Sequence, residues 1–216
     1  MIVINESADI GLRVAVITGE SISIHPSEAE QVRELMLLVQ ERSTGELSNE
    51  ALRQAVRQLL KRGGFKPSGR SKPASEYLAQ AAREGRFPFI NNLVDCNNYL
   101  SLLTGLPMSL LDADVAGDRI VLRTGRAGEQ FVFNSAGQVI DIEGLICACR
   151  EDGTPLGNPV KDSMEAKLGA ETKNVVAVVY APVEGVASWE ACEIAGKFAH
   201  MLSRFGGASS NEIHVL

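Results

Sequence analysis

Between residues 108 and 183 the chain breaks into short strand-forming runs, "DRIVLR", "EQFVF", "QVIDI", "GLICAC" and "NVVAVVYAP", separated by turn signals at "NSAG" and "EDG". From residue 27 to about residue 103 the apolar residues recur instead at helical spacing. Helices and strands that do not alternate regularly cannot build a doubly wound parallel sheet. The order predicts an α+β fold, a layered sandwich of mixed or antiparallel β-sheet with flanking helices. No internal repeat or long linker divides the 216 residues, so a single domain over 1–216 is expected.

The helical part has readable punctuation. After a strand pattern over residues 12–24, Ser27 with Glu30 forms a capping box, and Val32, Leu35, Met36 and Val39 follow at helical spacing. A second helix, about Glu50 to Arg62, sets Leu52, Val56, Leu59 and Leu60 on one side and Arg53, Arg57 and Lys61 on another. "PASEYLAQAAREG" predicts a third, between Pro73 and Gly85. The fourth runs from about Asn92 to Leu103, and Asn91, Asp95 and Asn98 share one face of it at i, i+4 and i+7. A long helix from Ser188 to Phe205 and a strand, "NEIHVL", close the pattern.

Charge is unevenly distributed. The net charge is −6, yet Arg53, Arg57, Lys61, Arg62, Lys66, Arg70 and Lys72 fall between residues 51 and 75 with no acid among them. The rest of the chain then carries 14 basic residues against 27 acidic ones. Such a split fits a local anionic partner or a solvated helix face and loop. Charged residues are 22% of the chain and apolar ones 45%, which excludes extended disorder. The opening residues predict no secretion signal, and no apolar run approaches the roughly 18 residues of a membrane span, so a cytoplasmic location is expected.

Signatures of nucleotide binding, nucleophile elbows and zinc proteases are missing from the sequence. Cys96, Cys147, Cys149 and Cys192 lack disulfide or zinc spacing, with Cys147 and Cys149 on one face of a strand. No cofactor or metal is expected. Three polar clusters carry chemistry: the "KPSGR" loop, whose cations suit phosphates; the Asn91, Asp95, Asn98 face; and "GNPVKDSMEAKLGAET", with Lys161, Asp162, Ser163 and Glu165 between two strands.

The run "INNLVDCNNYLSLLTGLPMSLLDAD", then "DRIVLRTGRAGEQFVF", then "ETKNVVAVVYAP" resembles the editing (B-three/B-four) domain of the phenylalanyl-tRNA synthetase beta subunit. The likeness covers about residues 63–183, with 1–62 and 184–216 as additions, and "GFKPSGRSKPASEY" is similar to free-standing bacterial proteins built on that domain. The resemblance implies a trans-editing factor that hydrolyses the ester of mischarged aminoacyl-tRNA. By position, Asn98 matches the motif asparagine of the amino-acid pocket, Asp95 and Tyr99 the same helix, Arg123 and Glu129 the strand pair, and Thr172 the later Glu-Thr motif. Ser109 stands where the family has histidine, and Met164 where it has a pocket glutamate, with Glu165 one place away.

On this reading Asn91, Asp95, Asn98, Ser109, Arg123, Glu129 and Thr172 form the substrate site. Asp162 or Glu165 orients the water and Asn98 or Ser163 the substrate's α-amino group; an activated ester needs little beyond that and an oxyanion contact. Arg53, Arg57, Lys61, Lys66, Arg70 and Lys72 hold the RNA. The partner is tRNA or aminoacyl-tRNA, with neither membrane nor DNA expected and the oligomeric state left open. Two alternatives remain: a non-catalytic tRNA- or RNA-binding module, and a binder of a free amino acid or related small molecule.

Overall fold

The computed structural model describes residues 1–44, 49–68 and 71–216, so Arg70 lies outside the described residues. In chain order the elements are β1 (Ile2–Asn5), β2 (Leu12–Gly19), α1 (Ala29–Thr44), α2 (Glu50–Arg62), α3 (Ala74–Arg83), α4 (Asn92–Thr104), β3 (Met108–Asp112) and α5 (Ala113–Ala116). They continue as β4 (Arg119–Thr124), β5 (Gln130–Val132), β6 (Val139–Asp141), β7 (Ile146–Arg150), β8 (Pro155–Gly157), β9 (Val175–Pro182), α6 (Ser188–Gly206) and β10 (Ile213–Val215).

All eight residues of β9 are buried, and β2 and β3 flank it antiparallel in a sheet ordered β10-β2-β9-β3. An all-apolar run is stable there because a central strand covered on both faces has no solvent side for polar residues. Alternation assigns its faces. Val14, Val16, Val176, Val178 and Tyr180 meet Ile120, Leu122, Ile146, Ala148 and Leu156 of a second sheet, ordered β1-β4-β7-β8. Ala15, Ile17, Val175, Ala177 and Val179 meet Leu93 and Leu100 of α4 and Phe198 and Leu202 of α6. The result is the expected layered α+β sandwich: helices, an antiparallel sheet, and a second sheet in which β1 and β4 run parallel.

The β5–β6 hairpin covers the remaining face of β7. Cys147 and Cys149 do share that face, packed with Leu60, Ile140 and Phe131, and burial pushes the Cys149 thiol up to about 12. Among the described residues no group of His, Cys, Asp and Glu is placed to hold a metal ion, and no helix is long and apolar enough to cross a membrane.

Helix α2 closes the edge of the sandwich. Leu52 and Val56 enter the helical layer, Leu59 the space between the sheets, and Leu60 the space under the hairpin. Its polar side is bound to α3: Arg57 donates twice to the Glu76 carboxylate, both at 2.6 Å, and Arg53 pairs with Glu50 at 2.6 Å and Glu76 at 3.8 Å. Part of the cationic stripe is thus neutralised inside the fold by acids at the two ends of the basic window.

Helix α4 is almost wholly buried and held by its polar residues. Asn91 caps it, accepting from the Leu93 and Val94 N–H groups. Asn92, fully buried, donates to the Ser23 carbonyl at 2.8 Å and the Phe205 carbonyl at 2.7 Å, and accepts from the His25 N–H at 3.1 Å. Asp95 accepts from the Ser27 hydroxyl at 2.6 Å and the Ile90 N–H at 2.9 Å, which corrects the capping box, since Ser27 serves α4 rather than α1. The inner stripe of α1 is likewise Gln31, Leu35 and Leu38, leaving Met36 56% exposed.

Replacing Asn92 with Ala strands two buried carbonyls and one N–H at the junction of the β2 exit, α4 and α6. The expected loss is about 2–4 kcal/mol of unfolding free energy, read as a lower midpoint in urea with an unchanged slope.

Candidate functional site

A cleft of about 1710 Å³ opens between α3, α4, the β5–β6 hairpin and the loop after β8. Val94, Met108, Leu110, Phe133, Ile140 and Leu168 supply its apolar lining, and Asn91, Asn97 and Asn98 project from α4. Opposite them, Asn158 and Asp162 come from the loop after β8. Among the described residues five cations line it, Lys66, Lys72, Arg86, Lys161 and Lys167, against three acids, Asp141, Glu143 and Asp162. A cleft with this excess of positive charge favours an anionic ligand.

Several polar groups here have unused capacity. The Asn158 Oδ1 accepts from the Val160 and Lys161 N–H groups at 2.8 and 2.9 Å, which fixes the amide, yet its buried Nδ2 has no partner. The buried Asn97 Oδ1 and Asp162 Oδ1 also lack partners, and the Asn98 amide makes no hydrogen bond among the described residues. Asn158 is 1% exposed and Asn97 9%. Buried polar atoms left so are costly unless a ligand or water completes them.

Asp162 sits against a glycine for a geometric reason. A Cβ on Gly157 would come within 2.5 Å of the Asp162 Oδ1 and 2.9 Å of the Ser109 Oγ, so only glycine lets the carboxylate approach the end of β8. Beneath it Ser109 is fully buried, its hydroxyl 3.1 Å from that of Tyr180. Burial pushes the Asp162 carboxyl up to about 7, against the opposing pull of the Ser109 side chain and the Leu110 N–H. Burial likewise drives the Tyr180 phenol well above its ordinary value, with the Asp162 charge adding to it.

The cleft therefore gathers Asn91, Asn98 and Asp162 with Lys66 and Lys72, and Ser109 lies directly behind Asp162. Arg123, Glu129, Thr172, Ser163 and Asp95 are not among the described residues that line it, and they serve the surrounding fold instead. Arg123 donates to both oxygens of Glu129 at 2.8 Å and to the Gly153 carbonyl at 2.6 Å, tying the base of the hairpin to the β7–β8 turn. Thr172 donates to Asp112 and accepts from the Gly169 N–H, which ties the end of the loop to β3. Ser163 is buried and accepts from the Ala166 N–H at 3.3 Å, holding the turn that follows Asp162. Asp95 braces α4, burial raising its carboxyl above the ordinary value.

Three groups of predicted residues lie apart. Glu165 is exposed and pairs with Arg150 at 3.3 Å. Arg53 and Arg57 join α2 to α3, and Lys61 is exposed at the end of α2. Lys72, which does line the cleft, donates to Gln80. Sequence reasoning passed over Asn97, Asn158, Gly157 and Tyr180. The signal for two of them is "GNP", a glycine and an Asx-turn asparagine before proline.

The B3/4 domain family matches residues 55–187. Among curated proteins, the phenylalanine–tRNA ligase beta subunit of Anaeromyxobacter dehalogenans is 31% identical over 106 residues, 48% of this chain. That of Carboxydothermus hydrogenoformans is 35% identical over 105 residues, also 48% of this chain. The aligned segment makes up 13% of each of these two relatives. Among solved structures, an N-terminal fragment of the phenylalanyl-tRNA synthetase beta-subunit from Pyrococcus horikoshii aligns with 99% of this chain and 50% of that one, at 13% identity and a TM-score of 0.48. With well over half of its residues inside the match, this chain belongs to the B3/4 domain family.

Proposed function

We propose that this chain is an editing factor that binds aminoacyl-tRNA and hydrolyses the ester joining a mischarged amino acid to the terminal ribose. The observation that carries the reading is the Asp162 carboxyl, poised near pH 7 with an unpartnered oxygen, in a cleft whose charged lining is mainly cationic. Membership of the family and the likeness to synthetase beta subunits support aminoacyl-tRNA as the substrate class.

The chemistry follows from the groups present. Lys66 and Lys72 in the cleft, with Lys61 at the end of α2 and Arg70 of the same basic stretch, attract the RNA backbone, while Arg53 and Arg57 fix the α2–α3 frame. Asn97 and Asn98 meet the α-ammonium through their side-chain oxygens, and the Asn158 amide donates to the ester carbonyl oxygen. Ionised Asp162 takes one proton from an attacking water as its oxygen bonds to the ester carbon. The same proton passes to the ribose oxygen as the C–O bond breaks, leaving a free amino acid and an intact tRNA. Ser109, in the place of the family's histidine, steadies the carboxylate without taking a proton.

Three outcomes test this. Incubated with a panel of correctly and incorrectly charged tRNAs, the protein should release at least one amino acid, at a rate that rises with pH and levels off above about 7 as Asp162 ionises. Asp162→Asn should lower the single-turnover rate by about 100-fold or more and abolish that profile, with tRNA affinity retained. No ester loss anywhere in the panel, with tRNA binding intact, makes the chain a binding module instead.

The same carboxyl affects stability with a definite sign. Unfolded it loses its proton near pH 4, folded only near 7, so the folded state holds the extra proton between those values. Stability should therefore fall as pH rises from about 4 to about 7, and Asp162→Asn should remove that loss, worth on the order of 2–4 kcal/mol at neutral pH. Urea titrations of both proteins across that range are the measurement.

For the RNA, Lys66→Ala with Lys72→Ala should weaken tRNA binding and flatten its dependence on salt by about 0.7–0.9 log units per contact removed. An unchanged salt slope would reject these two lysines as RNA contacts.

A further inference from the structure

The segment joining α3 to α4 carries a cluster of large exposed side chains that the hydrolytic centre does not use. Tyr77 on α3 is 45% exposed, and after the helix Phe89 and Ile90 are 43% and 61% exposed. Tyr77, Arg86, Pro88 and Ile90 all line the cleft. The Arg86 guanidinium lies 5.7 Å from the centre of the Tyr77 ring and is itself paired with Glu84. Phe89 stands edge-on to buried Phe87, ring centres 5.8 Å apart, which anchors it to the core under α1, α3 and α4.

Large apolar side chains exposed together on one rim mark a surface that another molecule covers. Two features select the occupant. The Tyr77 ring is a flat π face held on a helix, and it lines the cleft together with Lys66, Lys72 and Arg86, where the described lining has more cations than acids. An apolar protein surface would not draw this charge, and duplex RNA exposes no base faces. A flexible single strand has both an anionic backbone and free bases, the combination that stacking platforms with flanking cations bind.

We infer that the Tyr77, Arg86 and Ile90 rim is a stacking platform for the unpaired 3′ end of an RNA, taking a terminal base against Tyr77 while Lys66 and Lys72 meet its phosphates. This deepens the editing reading and rests on it for the identity of the RNA. It adds a contact that acts on binding rather than on the ester.

The test uses the full chain and two labelled RNA hairpins of identical stem, one with a four-nucleotide unpaired 3′ overhang and one blunt, neither carrying an amino acid. The overhang hairpin should bind more tightly. Tyr77→Ala should weaken it by about 5- to 100-fold and leave the blunt hairpin unchanged. Tyr77→Phe should keep the affinity, whereas Tyr77→Leu, apolar but without a π face, should lose it as Ala does. Equal affinity for the two hairpins, an unaffected Tyr77→Ala, or full rescue by Leu would overturn the platform, the last pointing to a plain apolar contact such as a protein partner makes. Ester loss from charged tRNA, followed separately, keeps the readings apart: absent hydrolysis with a Tyr77-dependent overhang preference rejects the deacylase and retains the platform.

Discussion

The structure depends on one strand having no polar face. β9 places Val175, Ala177, Val179 and Ala181 in the helical layer and Val176, Val178 and Tyr180 between the sheets, so both sheets and both inner helices are registered against the same strand. Each fully buried valine contributes about 1.5–3 kcal/mol, and a one-residue slip would exchange the alternating β9 sets between layers. β2 and β3 are bound to β9 in defined register, and β3 places Met108 and Leu110 in the cleft. The position of the cleft's apolar lining is in that sense set by the valine run some 70 residues later in the chain.

Against this apolar frame the cleft is locally unfavourable. Asp162, Asn97 and Asn158 keep buried atoms without partners while the surrounding polar residues, Asn91, Asn92, Asp95, Arg123 and Thr172, are hydrogen-bonded. Groups that bind a ligand have to hold capacity in reserve, and groups that shape a wall have to spend theirs on the fold. That division sorts residues which share a helix face in the sequence: Asp95 bonds Ser27 and Ile90, whereas Asn98, three places on, has no such bond.

What the sequence revealed follows the range of the interactions concerned. The helices from Glu50, Ala74, Asn92 and Ser188, and the strands around Ile120, Ile146 and Val178, were legible because caps and periodicity are local. β1, β3 and β8 were not, since three to five residues carry too little pattern and gain their strand character from a partner. The sequence neighbours of Ser27 fit a cap, but its bond runs to Asp95, 68 residues away. The cationic strip shows the same effect at its edges: the residues just outside the acid-free window, Glu50 and Glu76, are the ones that neutralise Arg53 and Arg57. Asp162 is visible as a loop acid, yet its raised pKa arises from burial against Gly157 at the end of β8, which outweighs the lowering by Ser109 and the Leu110 N–H, and spacing encodes none of this.

The Arg57–Glu76 pair also connects the two halves of the functional reading. Glu76 and Tyr77 are consecutive on α3, so the carboxylate that accepts both Arg57 bonds and the ring that lines the cleft are set about 100° apart on one helix. Fixing the first orients the second. A charge pair about two-thirds or more buried on each side contributes more to geometry than to net stability, because desolvation offsets most of its Coulomb attraction. Arg57 and Lys66 are both basic residues of the same stretch, but they act on different links of the chain from sequence to function. Arg57 determines where α3 stands, and through it the shape of the cleft; Lys66 adds charge to a cleft whose shape is already set.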